Sequence, residues 1–212
     1  MKEYNEIKES IVTGNLDLAV SSLQRALGEG AEPQDIISRY LIKGMEEIGH
    51  RFQEGKAFVP NLLLAARAMK GCLNILKPLM KDGSSVTVGK IVIGTVKGDL
   101  HDIGKNLVAS MFEGCGFEVI NLGVDVSSEQ FISAVKENNA DILCLSALLT
   151  TTMNYMQEVI DTLEHTGLRN QVKVMIGGAP VNESFARKIG ADAYTSNASA
   201  AVETAKQLLG VA

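Results

Sequence analysis

The sequence predicts an α/β protein in two parts. An N-terminal four-helix bundle fills residues 1–82, and a five-stranded parallel sheet with helices on both faces fills residues 89–212. Three observations carry this reading. Up to about residue 82 the apolar side chains recur only at helical spacing. Further on, short apolar runs alternate with helical stretches, the pattern of repeated βα units. Between the two lies Lys81–Val88 (KDGSSVTV), the one clear break in composition, which supplies a polar linker at residues 83–88.

The helical half opens with a segment carrying Ile7 and Ile11. Gly14 breaks it, and Asn15 is placed to cap a second helix with Leu16, Val20, Leu23 and Leu27 at helical spacing. Pro33 opens a third, with Ile37, Leu41, Met45, Ile48 and Phe52 on one face. After a turn at Gly55–Lys56, Pro60 starts a fourth, carrying Leu62, Ala66, Met69, Leu73, Leu76 and Met80. Beyond the linker, strands are expected at Lys90–Thr95, Phe117–Leu122, Asp141–Ser146, Val172–Ile176 and Ala193–Thr195. Helices are expected to begin near Asp102, Ser127, Thr152, Val181 and Asn197, with Ser127 and Gln130 at capping-box spacing. Strands this apolar belong in a sheet covered on both faces.

In the flavodoxin-like strand order 2-1-3-4-5, a ligand crevice opens at the carboxyl ends of strands 1 and 3. The loops there are GDLHDIG (Gly98–Gly104) and SALLTTT (Ser146–Thr152), the two most unusual loops in the chain.

Composition narrows the function. The 212 residues are 46% apolar and 21% charged, with a formal charge of −5, so no basic footprint for nucleic acid or anionic lipid exists. No apolar run reaches the ~18–20 residues of a membrane span, and MKEYNEIKES is unlike a secretory signal. Cys72, Cys115 and Cys144 are scattered among apolar residues and read as buried thiols in a reducing cytoplasm.

The segment Gly94–Asn106, GTVKGDLHDIGKN, carries the chemistry. Asp99, His101 and Gly104 form D-x-H-x-x-G where a strand hands over to a helix. An imidazole there can meet a metal, and a carboxylate two residues earlier can take the other ring N–H, fixing the tautomer. Asp102, in the first helical turn, suits the helix dipole. A phosphate-loop reading fails: Gly98 and Gly104 are separated by five residues rather than four, and no Ser or Thr follows Lys105 to hold magnesium.

Together with its flanks, this run resembles the cobalamin-binding module of methionine synthase and of methyltransferase corrinoid proteins. The resemblance implies a Rossmann-like cobalamin domain in which His101 is the lower cobalt ligand. Asp99 and Thr152 would complete a His-Asp-hydroxyl triad, which makes Asp99, His101 and Thr152 the expected catalytic set. Asp102, Ile103, Gly104 and Leu148 would contact the cofactor from the same loops, while Ser146 and Thr150 would bond the buried nucleotide tail. Gly177 and Gly178 would form the tail-channel wall; Asn197 and Ala198 would border the corrin, though Asn197 also reads as a helix cap. The stretch Gly49–Met69 resembles the helical cap over the methyl-bearing face, with Phe58, Leu62, Ala66 and Met69 facing the cofactor.

The role implied is that of a stand-alone corrinoid protein cycling between cob(I)alamin and methylcobalamin, or forms of a related corrinoid. It would carry a methyl group from a substrate-specific methyltransferase to a second methyltransferase acting on a pterin or thiol acceptor. A reductive activase is a further implied partner. The alternatives are a B12-binding sensor, which would need an attached signalling or DNA-binding module, and the small subunit of an adenosylcobalamin-dependent mutase. That subunit usually lacks a helical half.

Overall fold

A computed structural model describes residues 3–80 and 87–211. Most of the expected linker at 83–88 lies outside the described residues. The chain divides into two compact units, residues 1–87 with 110–116 and residues 88–109 with 117–212.

The first unit contains α1 (Asn5–Thr13), α2 (Leu16–Gly28), α3 (Pro33–Ile36), a π-helical turn (Ile37–Leu41), α4 (Ile42–Gln53), α5 (Val59–Leu76) and a 3-10 turn (Lys77–Leu79). The Asn15 side chain caps α2 as expected, accepting the Leu18 N–H at 3.1 Å. The buried stripe of α2 is Ala19, Ser22, Leu23 and Ala26, whereas Leu16, Val20 and Leu27 are only half-buried. The expected third helix is one continuous rod in outline, but its hydrogen bonding widens to the π pattern at Ile37–Leu41. Ile37, Leu41, Met45 and Ile48 remain buried along it.

The second fold element is the sheet: β1 (Lys90–Thr95), α6 (Ile103–Gly114), β2 (Glu118–Asn121), α7 (Ser128–Asn138), β3 (Ile142–Ser146), α8 (Asn154–His165), β4 (Lys173–Gly177), α9 (Glu183–Ile189), β5 (Ala193–Tyr194) and α10 (Ala198–Leu209). All pairings are parallel, and the order is β2-β1-β3-β4-β5, as the sequence predicts. The strands are buried because helices cover them: Val92, Leu143 and Val174 share a core with Phe131, Ile160 and Leu163 from α7 and α8. Each such side chain contributes about 1.5–3 kcal/mol of burial.

Register positions the site. Thr95 lies opposite Ser146, and Ser146 opposite Gly177, so three strand ends line up at one edge of the sheet. Ser127 and Gln130 form the expected capping box on α7, and Asn197 caps α10 by accepting the Ala200 N–H at 2.8 Å. Two expected helix starts move by two residues, from Val181 to Glu183 at α9 and from Thr152 to Asn154 at α8. Thr152 precedes α8, which begins at Asn154, because its hydroxyl is drawn to a tertiary partner rather than to the helix amides.

Candidate functional site

The loop between β1 and α6 starts with a tight turn, in which the Asp99 N–H donates to the Val96 carbonyl at 3.2 Å. Gly98 takes φ +77° as the second central residue, the type II arrangement that favours glycine. This turn sends the Asp99 side chain inward and leaves His101 at the surface.

Asp99 has no solvent exposure, and both its oxygens are occupied. Oδ1 accepts the His101 backbone N–H at 3.0 Å and faces His101 Nδ1 at 2.8 Å. Oδ2 accepts the Leu148 N–H at 2.7 Å, the Leu149 N–H at 3.3 Å and the Thr152 hydroxyl at 2.8 Å. That hydroxyl also sits 2.9 Å from the Leu149 carbonyl, so its one proton has two acceptors. Burial pushes the Asp99 carboxyl upward, but the donors from Leu148, His101 and Thr152 outweigh it and hold the group well below the usual carboxylate range. Asp99 is therefore an anion that has exchanged water for protein donors.

An ionised Asp99 makes Nδ1 of His101 the protonated nitrogen and leaves the Nε2 lone pair free. The ring is half exposed. Among the described residues no three His, Cys, Asp or Glu side chains gather to share a metal. His101 thus presents one nitrogen donor, which suits a metal arriving with its other ligands. Around it the apolar side chains of Leu100, Ile103, Leu148 and Leu149 are 71%, 88%, 43% and 42% exposed. They offer apolar contact to a broad ligand rather than a shell for a hydrated ion. These residues fit a metal held in a macrocycle.

The other expected contacts divide. Gly104 is exposed and has open space where a side chain would project. Asp102 is half-buried and accepts from the Asn106 side chain at 2.8 Å. Ser146 is half-buried and Thr150 exposed, and neither hydroxyl has a partner among the described residues, so both are free to bond a ligand. A side chain at Gly177 would meet only the Thr195 carbonyl, at 3.4 Å. Gly178 differs. At φ +128°, a Cβ there would lie 1.8 Å from the Ala147 carbonyl oxygen, so the fold itself demands glycine. Ala198 is buried, and the Asn197 side chain is engaged as a cap.

In the helical unit, Leu62, Ala66 and Met69 are 0%, 4% and 0% exposed. These three side chains, expected to face the cofactor, are core residues in this structure. Phe58, at the start of α5, is 69% exposed, and Leu63 further along it 40%.

Two features escape the sequence reading. Asp125, between β2 and α7, has φ +54° and accepts the Gly98 N–H at 2.7 Å. Lys105 on α6 is buried, its ammonium donating to the side-chain oxygens of Asn106 and Asn121 at 2.7 Å each. Burial lowers the Lys105 pKa, opposed by the nearby Asp102 charge. The only signal for Asp125 is an acidic residue two positions after a glycine in a strand-to-helix loop. For Lys105 there is none, since a lysine in a first helical turn reads as solvated.

Cys72, Cys115 and Cys144 are all buried and none is in a disulfide, and burial pushes the Cys72 thiol up to about 12. Among the described residues no helix is long and apolar enough to cross a membrane.

Comparison with known proteins agrees with this chemistry. Two family models, each described as a B12 binding domain, match residues 89–204 and 3–77. Dimethylamine corrinoid protein 1 of Methanosarcina acetivorans is 47% identical over 96% of this chain and 96% of its own length. A crystal structure of a cobalamin-binding protein from Desulfitobacterium hafniense DCB-2 is 34% identical, with a TM-score of 0.83 over 98% of this chain and 99% of that one. The methanol:cobalamin methyltransferase complex MtaBC from Methanosarcina barkeri contains a chain 32% identical, with a TM-score of 0.86 over 99% of this chain and 80% of that one. The Asp99-anchored imidazole therefore stands in a cobalamin-binding fold, and the chain belongs to the B12-binding family as a corrinoid protein of methyltransferase systems.

Proposed function

We propose that this chain is the cytoplasmic methyl carrier between a methylamine-specific methyltransferase and a second methyltransferase acting on a pterin or thiol acceptor. A reductive activase restores the carrier when it is oxidised. The observation that carries the reading is His101, with Nδ1 tied to a buried carboxylate and Nε2 free at a surface of exposed leucine and isoleucine side chains. The bound corrinoid supplies the metal on which a methyl group can ride.

The protein's share is ligation, orientation and proton control. His101 Nε2 would be the donor to the metal. Asp99 fixes the ring's orientation and tautomer, its Oδ1 lying 2.8 Å from Nδ1. Thr152 holds Asp99 from the opposite oxygen and can shift its proton between Asp99 and the Leu149 carbonyl. Ser146 and Thr150 are proposed to bond the nucleotide tail, and Gly177 to leave room for it. The helical unit is proposed to act as the cap, with Phe58 its most exposed aromatic contact.

Dimethylamine is the favoured donor, since several relatives at 42–47% identity over nearly the whole chain carry that name. The test is to reduce the reconstituted protein and offer it a dimethylamine methyltransferase with its substrate, then the methanol and monomethylamine counterparts. Rapid stoichiometric methylation with the first, read in the visible spectrum, supports the assignment. Methylation by the methanol enzyme alone would overturn it.

A further inference from the structure

The loop that carries His101 is braced from two sides. Downstream, the Thr95 hydroxyl donates to the His101 carbonyl at 2.9 Å, and Asn106 bonds Asp102 through its backbone and side-chain N–H groups. Upstream, the only side chain among the described residues that bonds the backbone of the turn Val96–Asp99 from another element is Asp125. Its Oδ1 accepts the Gly98 N–H at 2.7 Å, and its own N–H donates to the Asp99 carbonyl at 3.0 Å.

We propose that Asp125 is a positioning residue, clamping the turn before Asp99 so that the carboxylate, and through it the imidazole of His101, is aimed for ligation. The Gly98 N–H points out of a type II turn and has no partner inside it. Asp125 supplies one, while its backbone N–H holds the Asp99 carbonyl. Both bonds require the left-handed backbone at residue 125, where φ is +54°. Asp and Asn tolerate that conformation better than most residues, and glycine adopts it freely. A residue needed only for a turn would be as good or better as glycine. A residue needed as a clamp must also carry an acceptor.

This inference rests on the corrinoid reading for its importance to function, but its geometry is testable on the apoprotein. Asp125→Gly keeps the backbone conformation and removes the acceptor; Asp125→Asn keeps both. In Asp125→Gly the Gly98 amide should exchange with solvent about tenfold faster, as for loss of one hydrogen bond. The His101 Nδ1–H resonance should broaden in the same variant. Asp125→Asn should stay within about twofold of wild type. Titration with hydroxocobalamin should show affinity reduced about fivefold in the glycine variant and restored by asparagine, with circular dichroism unchanged in both. A glycine variant with wild-type exchange and an intact Nδ1–H resonance would overturn the proposal. So would an asparagine variant that loosens as far as glycine. Failure of wild type to bind hydroxocobalamin would instead defeat the corrinoid reading, leaving the amide and imidazole signals to judge the clamp.

Discussion

A carboxylate without solvent exposure remains an anion only if donors replace its water, and Asp99 has them on both oxygens. Its depressed pKa has a signed consequence. The stabilisation is present above its ordinary value of 3.8 and is lost as the pH falls through that value toward the lower folded one. Urea melts of wild type should therefore weaken steadily below about pH 4, and Asp99→Asn should flatten that dependence. At neutral pH Asp99→Asn should cost about 2–3 kcal/mol, because its NH2 must face a donor on one side or the other. Thr152 gives a second test. Thr152→Ser should fold and bind corrinoid like wild type, whereas Thr152→Val should lose about 1–2 kcal/mol in the same melts. At this scale Asp99 and His101 were legible from their spacing and loop context, and Thr152 only through the resemblance to the methionine synthase module. Asp125 was not, because its significance depends on contacts with Gly98 and Asp99, more than twenty residues away in sequence.

Among the elements, the strand ends differ most from their appearance in the sequence. The two glycines at the carboxyl end of β4, Gly177 and Gly178, look alike there, yet only Gly178 faces a carbonyl too close for any side chain. Gly178→Ala should destabilise the fold by about 1–3 kcal/mol, since it adds a clash to an unfavourable φ. Gly177→Leu should leave the melt near wild type while weakening corrinoid binding, measured by cobalamin titration. Wild-type affinity in that variant would mean the glycine borders no ligand. On α6, Lys105 is charged and buried between two amide oxygens. Asn106 Oδ1 keeps the Asn121 side-chain donor, and Asn121 Oδ1 keeps the Gly123 N–H, when the lysine is removed. Lys105→Met should thus change stability by no more than about 1 kcal/mol. Strands and caps were legible from apolar runs and from Asn15, Ser127 and Asn197. The π-helical turn at Ile37–Leu41 was not, because its wider hydrogen bonding leaves no mark in residue type. Nor was the burial of Leu62, Ala66 and Met69, since helical spacing identifies an apolar face but not what covers it.

Across the whole molecule, strand order does what no single residue can. The 2-1-3-4-5 order sets β1 beside β3, which brings the loop of Asp99 and His101 against the loop of Leu148 and Thr152. That placement is legible in the residue pattern alone, because five apolar runs separated by helices admit few parallel arrangements. The central claim is that His101 is the protein's ligand to the corrinoid metal. It is tested most directly by electron paramagnetic resonance of the protein reconstituted with cob(II)alamin, prepared once with ordinary and once with nitrogen-15 histidine. The expected result is a superhyperfine pattern that changes from a triplet to a doublet with the labelled protein, and a His101→Ala variant that loses the histidine coupling altogether. A triplet unaffected by labelling, arising from the cofactor's own dimethylbenzimidazole, would contradict it.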